Sequence, residues 1–465
     1  MMIPVAKPMP QGSEIYPEYA ALWHLESIGV LDALRDGARP PADAKVSQVA
    51  IIDTSVAVNH PCLKGAVNEK LAIDFFSNRL GAFPYLGEAL AAPSIPSNLE
   101  TDIADDLPGS LALLRELIDR LSPGAAAHVN GVAPTTSADF SNHGTAIAGL
   151  VGARPAIMQI APDYQGQDPA EIDVPLPYCG TDPFCELVPI STNFDTDPEA
   201  LILALLYAEV IDASVILIPR SFPDPFRTLG AIPVDLDLLE AALPARPTAR
   251  ERALWEELAQ LLVAVSMRRP IICAAGNFQE VGGIYPANLA SDYNGIISVG
   301  AVNAKGLVAG YSTSQGITVM APSNDGETYD RVSVRLDEQD ADFPDRRSPA
   351  ENENGSFSHF EIVSTDVPGR HGYSHGPFSS AEPADGLREF GSYFCRFGGT
   401  SAASAIVAGF VSLGVSLGQI PRAVDGGLGV KTWLMSRTVQ VDTEENGSFH
   451  YLSWNGAVSF PDLKV

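Results

Sequence analysis

Short, wholly apolar runs alternate along the chain with longer stretches of helical periodicity. VSQVAIID (Val46–Asp53), SVILIP (Ser214–Pro219), PIICAAG (Pro270–Gly276) and GIISVGAV (Gly295–Val302) each read as a buried strand. Between them, DPEALILALLYAEVI (Asp197–Ile211) spaces its apolar residues as a helix does, behind an Asp cap. ARERALWEELAQLLVAVSMRR (Ala249–Arg269) does so over a longer span and ends in basic residues, as the helix dipole favours. A strand with no polar face must be covered on both sides. The alternation therefore predicts an α/β fold: a central, mostly parallel sheet with helices on both faces, three layers in αβα order.

Two segments break this rhythm. Residues 77–139 are rich in Pro and Ala and hold one amphipathic piece, LALLRELIDRL (Leu111–Leu121); residues 324–355 are polar and acidic. Neither carries enough apolar residues for a core of its own, so both read as insertions on one large domain. The expected organisation is an N-terminal extension over 1–19 and a single catalytic domain over 20–465, interrupted at those two places. No internal repeat is visible.

Composition narrows the function. The chain has 465 residues, 46% of them hydrophobic, and a formal net charge of −28. That charge argues against nucleic acid or an anionic membrane as partner, since both demand a positive face. Five cysteines, Cys62, Cys179, Cys185, Cys273 and Cys395, form no CxxC pair and read as free thiols rather than a zinc site or a disulfide framework. The N-terminus, MMIPVAKPMPQGSEIYPEY, lacks the basic and apolar regions of a secretory signal, and no apolar run has membrane-spanning length. The expected setting is the cytoplasm.

Four places join chemistry to the ends of predicted elements, where open α/β sheets bind ligands. Asp53 ends the apolar strand VAIID. His143 precedes Gly-Thr and a helix of small apolar residues in SNHGTAIAGLVGA. Asn277 follows a strand and a glycine in ICAAGN. Ser401 sits behind two glycines in GGTSAASAIVAG. Each alone has a structural explanation: a loop cap, a helix-start histidine, a turn residue, a small-residue helix entry. Together they supply every part of acyl transfer. Serine needs a base to take its proton, which His143 provides; the imidazole needs a carboxylate to hold its tautomer, which Asp53 provides. The oxyanion needs donors, and the Asn277 amide and the Ser401 N–H at a helix start provide them.

The order Asp, His, Asn, Ser and the residues around each resemble the subtilisin-like serine proteases, the subtilases. IIDTS is similar to that family's Asp motif, NHGTAIAG to its His motif, AAGN to its oxyanion segment and GGTSAASAIVAG to its Ser motif. The resemblance spans roughly residues 20 to 420 apart from the insertions. It implies a subtilisin-like fold and a serine endopeptidase acting on a peptide or protein substrate through an acyl-enzyme. A narrower similarity, carried by VNHPCLKGAV and IVAGFVSLGVSLGQ, is to the subtilases of cyanobactin pathways, which mature ribosomally made peptides inside cells.

Departures from the pattern are informative. Ser55, Ala405 and Ser323 stand where the family usually has Gly, Pro and Gly. The substrate-binding set implied is Pro219, Arg220, Ser221 and Gly276. Here Pro219-Arg220-Ser221 replaces the family's Ser-Leu-Gly edge; proline cannot donate to a β-ladder, and Arg220 either sets a cation beside the peptide, favouring an acidic substrate residue, or faces solvent or pairs with a carboxylate. The insertions are expected at the rim of the crevice, as lids or exosites. The chemistry requires no cofactor. Structural calcium is frequent in the family and the acidic run Asp325–Asp342 is a candidate for it, with no ligands assignable. Two alternatives stay open: a peptide-binding or regulatory module whose triad is gated until a partner protein binds, and a ligase or macrocyclase that passes the same acyl-enzyme to an amine.

Overall fold

The computed structural model describes residues 5–8, 22–75, 98–104, 107–121, 138–160, 172–192, 197–222, 224, 248–324, 362–367, 372, 393–420, 426–443 and 447–460. Its strands, in chain order, are β1 (Val5–Pro8), β2 (Gln48–Asp53), β3 (Ile73–Asp74), β4 (Ala156–Ile160), β5 (Ile172–Leu176), β6 (Glu186–Ser191), β7 (Val215–Ile218), β8 (Ile271–Ala274), β9 (Ile296–Val302), β10 (Val319–Pro322), β11 (Ile362–Thr365), β12 (Phe394–Phe397), β13 (Thr438–Thr443) and β14 (Gly447–Leu452).

Nine of these form one sheet in the order β13-β14-β10-β9-β8-β7-β2-β6-β3. Every neighbouring pair is parallel except β13 with β14. The four apolar runs are β2, β7, β8 and β9, all in the middle of this sheet. Their burial on both faces is visible residue by residue. Val49 and Ile51 of β2 join one core while Ala50 and Ile52 join the other, and Val215 and Leu217 of β7 alternate with Ile216 and Ile218 in the same way. The fold is the expected three-layer α/β arrangement of subtilisin type.

Two helices fill the first core. The histidine helix (Ala138–Gly152) packs on the serine helix (Gly399–Ser416), and all eighteen residues of the latter are buried. A small residue permits this approach: a Cβ on Gly409 of the serine helix would fall 2.8 Å from the Val151 carbonyl oxygen of the histidine helix. The serine helix is long and apolar enough to cross a membrane, yet it lies wholly inside the protein as its central core helix. The second core holds the helices Pro198–Val210 and Ala249–Arg268. Asp197 caps the first by accepting from the Glu199 N–H at 3.2 Å. Thr248 and Glu251 close a reciprocal capping box on the second, with bonds of 3.1 and 2.6 Å.

The described part of the first insertion packs into the body of the fold. The helix Pro108–Leu121 buries Leu113, Leu114, Leu117 and Leu121 in the second core. Its first backbone N–H groups, at Gly109 and Ser110, donate to the Glu257 carboxylate at 3.0 and 2.7 Å, so the insertion's helix start is neutralised by the neighbouring helix. The N-terminal residues Val5–Pro8 pair antiparallel with β4 in a separate three-stranded sheet, β1-β4-β5. Over these four residues the extension is neither loose nor laid along the 219–221 edge. The acidic run Asp325–Asp342 lies outside the described residues.

Two buried histidines make stability depend on pH. His24 and His60 are fully buried, and burial lowers their pKa values to about 3 and about 4. Each is neutral when folded and takes up a proton on unfolding below about pH 6.5. Asp182, buried among Ser412, Ser416 and the Phe184 N–H, is raised to about 6 and acts in the opposite sense. Between about pH 6 and 4 the unfolded chain thus binds two histidine protons against one held by folded Asp182. By proton linkage stability falls on acidification by about 1.4 kcal/mol per pH unit from these three groups. The urea midpoint is expected to be lower at pH 5 than at pH 7.5; a midpoint that holds or rises would refute this assignment.

Candidate active site

The register of the sheet brings the candidate residues together. Asp53 closes β2 opposite Ser191 of β6, and β7, on the other side of β2, delivers Pro219 immediately past Ile218. Ile218 in turn pairs with Cys273 of β8, which leads to Gly276 and Asn277. The crevice therefore lies at the carboxyl ends of three adjacent parallel strands.

Asp53 is fully buried. Its Oδ1 accepts from the Thr54 N–H at 2.7 Å, and its two oxygens lie 2.9 and 2.8 Å from His143 Nδ1. A carboxylate can only accept, so Nδ1 carries the proton and the neutral ring presents Nε2 as its basic nitrogen. The histidine helix is seated on the Asp loop by two further bonds. The Gly144 N–H donates to the Thr54 hydroxyl at 2.8 Å, and the Ala57 N–H donates to the Thr145 hydroxyl at 2.9 Å. Gly144 is required here, since a Cβ would fall 2.5 Å from the Thr54 carbonyl oxygen and 2.6 Å from that of Ser55. The edge of the His143 ring meets Phe397 at the end of β12, with centroids 5.3 Å apart.

Ser401 is the third residue of the serine helix and is 7% exposed. Its hydroxyl donates to the Pro219 carbonyl at 3.0 Å. The proline at the edge thus contributes an acceptor to the nucleophile's position. Thr400 ties this corner together. Its N–H and its hydroxyl both donate to Asn277 Oδ1, at 2.9 and 3.0 Å, and the hydroxyl accepts from the Gly276 N–H at 3.0 Å. With Oδ1 occupied, the Asn277 NH₂ is the end directed away from Thr400. Thr400 was missed by sequence reading; a hydroxyl preceding the serine is the only signal it leaves.

The departures now acquire roles. The Ser323 hydroxyl donates to the Gly399 carbonyl at 2.8 Å, and Asn324 Oδ1 accepts from the Gly399 N–H at 3.2 Å, so both residues brace the start of the serine helix. Ala405 continues that helix in full burial. Arg220 does not face solvent: it is 6% exposed, donates to the Thr192 hydroxyl at 3.2 Å and lies over the Phe222 ring at 5.3 Å. Ser221 is exposed and Gly276 is left-handed at φ +106.

All five cysteines are free and buried, as expected from the spacing. Burial pushes the thiols of Cys62, Cys179, Cys185 and Cys273 up, which leaves them protonated and poor as nucleophiles. Among the described residues no group of three or more His, Cys, Asp or Glu is placed to hold a metal ion.

Residues 245–451 match the model of the Subtilase family. That span carries Asn277 and Ser401; Asp53 and His143 precede it and are joined to it by the tertiary structure. Among solved structures, a lanthipeptide protease superposes with a TM-score of 0.51 at 14% identity, covering 93% of this chain and 92% of that one. The epidermin leader peptide processing serine protease EpiP from Staphylococcus aureus gives 0.49 at 14% identity, over 94% and 80%. The nisin leader peptidase NisP from Lactococcus lactis gives 0.48 at 14% identity, over 93% and 91%. No curated protein sequence matches this chain. The family match covers under half of the chain, and the fold over the described residues is subtilisin-like. The match over that span supports a serine endopeptidase.

Proposed function

We propose that the chain hydrolyses peptide bonds of a specific peptide or protein substrate through an Asp53–His143–Ser401 triad, with peptide maturation as its task. The observation that carries the reading is the 2.8 Å contact between Asp53 and His143 Nδ1, made across 90 positions of sequence in the same crevice as Ser401. Ser401 Oγ turns from the Pro219 carbonyl to His143 Nε2 and attacks the substrate carbonyl. His143 takes the proton and returns it to the leaving amine, while Asp53 stabilises the imidazolium. The Asn277 NH₂ and the Ser401 N–H receive the oxyanion, and water completes the turnover. The chemistry calls on no cofactor. A solved structure described as a lanthipeptide protease supports the maturation task by likeness of fold. Five free thiols support a cytoplasmic setting.

A second reading has one observation behind it. The Ser401 proton rests on Pro219 rather than on an imidazole nitrogen, as a gated nucleophile awaiting substrate or a partner protein would hold it. The intact mass of protein treated with a fluorophosphonate separates the two. A single adduct on wild type, absent from Ser401→Ala, is expected; its absence from wild type would favour the gated module. Transfer of the acyl group to a peptide amine instead of water uses the same intermediate, and a cyclised product in the digest would reveal it.

Asn277→Ala is expected to lower kcat about 100- to 1,000-fold with little change in KM, because the oxyanion forms only in the transition state. A KM rise with constant kcat would move Asn277 from the oxyanion site to ground-state binding.

A further inference from the structure

We propose that His60 is a positioning residue for the triad, tying the loop that follows Asp53 to the strand that leads into Ser401. The proposal rests on the peptidase reading above and deepens it by naming what holds the three limbs in register.

His60 is fully buried on the loop that leaves β2. The Cys62 N–H donates to its Nδ1 at 3.1 Å, so that nitrogen carries no proton. Burial lowers the pKa to about 4 and keeps the ring neutral, which puts the proton on Nε2. Nε2 donates to the Tyr393 carbonyl at 2.6 Å, across 333 positions of chain. The rings of Tyr393 and Phe394 meet the imidazole edge-on, with centroids 5.5 and 5.6 Å away.

That contact closes a circuit of hydrogen bonds through the site. The His60 N–H donates to the Ala57 carbonyl at 3.0 Å, and the Ala57 N–H donates to the Thr145 hydroxyl at 2.9 Å, close behind His143. The Thr145 carbonyl accepts from the Thr365 hydroxyl at 2.7 Å. The circuit returns through the Asp366 N–H, just past β11, which donates to the same Tyr393 carbonyl at 2.8 Å. From Tyr393 the chain runs along β12 to Phe397, whose ring meets His143, and then through Gly398 into the helix that bears Ser401. All three limbs of the triad are thus referred to one carbonyl, and the His60 ring joins the Asp limb to it.

The two ring bonds have different consequences. The Cys62 bond spans two residues and shapes the loop alone. The Tyr393 bond sets the distance between the Asp limb and the segment that approaches His143 and Ser401. Displacement of reacting groups by about 1 Å costs on the order of 100-fold in rate.

His60→Asn and His60→Gln separate the two bonds. Asparagine places an acceptor near the Nδ1 position and keeps the Cys62 bond. Glutamine places its NH₂ near the Nε2 position and keeps the bond to Tyr393. In the Asn variant, labelling by a fluorophosphonate and peptide cleavage are expected to slow about 10- to 100-fold, in kcat, with KM within about twofold. In the Gln variant both rates are expected within about threefold of wild type, the scale of a retained neutral hydrogen bond. Equal losses in the two variants, no loss in Asn, or a loss carried by KM would overturn the proposal. Should the Asn variant not fold, Gln decides alone: labelling within about threefold of wild type supports the tie, and an unfolded or about tenfold slower Gln variant refutes it. If wild type neither labels nor cleaves, the peptidase reading fails separately, and amide hydrogen exchange of the full chain decides. The Gly144 and Thr400 N–H groups, bonded to Thr54 and Asn277, lie outside the His60 loop. Their exchange is expected to quicken about tenfold or more in Asn and to hold in Gln; exchange unchanged in Asn refutes the tie.

Discussion

Ser401→Ala is expected to lower peptide turnover on the order of 10⁶-fold, leaving only catalysis by binding and oxyanion contacts. The substitution removes the one atom that forms the acyl bond. It disturbs little else, because Ser401 is followed by Ala402 and Ala403 and lies at the start of a helix that is buried throughout. The lost bond to the Pro219 carbonyl is a single neutral one, worth about 1 kcal/mol. The thermal midpoint should therefore move by only a few degrees, and a peptide should still bind. Turnover within tenfold of wild type, from protein shown by mass to carry alanine, would exclude Ser401 as the nucleophile.

Asp53→Asn is expected to lower kcat about 10⁴-fold at neutral pH. The asparagine matches the carboxylate in shape but carries a donor at one end. The Thr54 N–H, bonded to Oδ1 at 2.7 Å, claims the remaining acceptor, so the amide NH₂ turns to His143 and the ring must present Nδ1 as an acceptor. Nε2 then holds the proton and cannot receive one from Ser401. The buried pair also loses its charge, so the imidazolium formed in the reaction is left without a counter-ion at a site with 0% exposure of its partner. Steady-state kinetics should show the loss in kcat. A fall of less than tenfold would mean that another group orients His143, and the carbonyls around Thr54 and Ser55 would be the next to test.

Local signals were legible without the fold. The four central strands are wholly apolar because both faces are covered, and that requirement is written into each strand by itself. The caps at Asp197 and Thr248 and the basic end of Ala249–Arg268 are likewise satisfied within a few residues of chain. The four candidate residues were legible as well, since each stands at the junction of a strand or helix with a turn and each motif is contiguous.

What joins those motifs was not. Thr400 bonding Asn277, Ser323 and Asn324 bracing Gly399, and Pro219 accepting from Ser401 all connect residues 75 to 182 positions apart, and each depends on which strands become neighbours. The same holds for Glu257 neutralising the start of the inserted helix Pro108–Leu121, which packs into the second core. Arg220 reads in sequence either as a cation beside the peptide or as a residue facing solvent or paired with a carboxylate; the adjacency of β6 and β7 to β2 buries it against Thr192 and Phe222. The sequence by itself determined the strands, the caps and the candidate groups, because each answers to its immediate neighbours; the tertiary structure alone decided how those groups are held and what surrounds them, because hydrogen bonds and burial at that site are contributed by segments that meet only when the parallel sheet has formed.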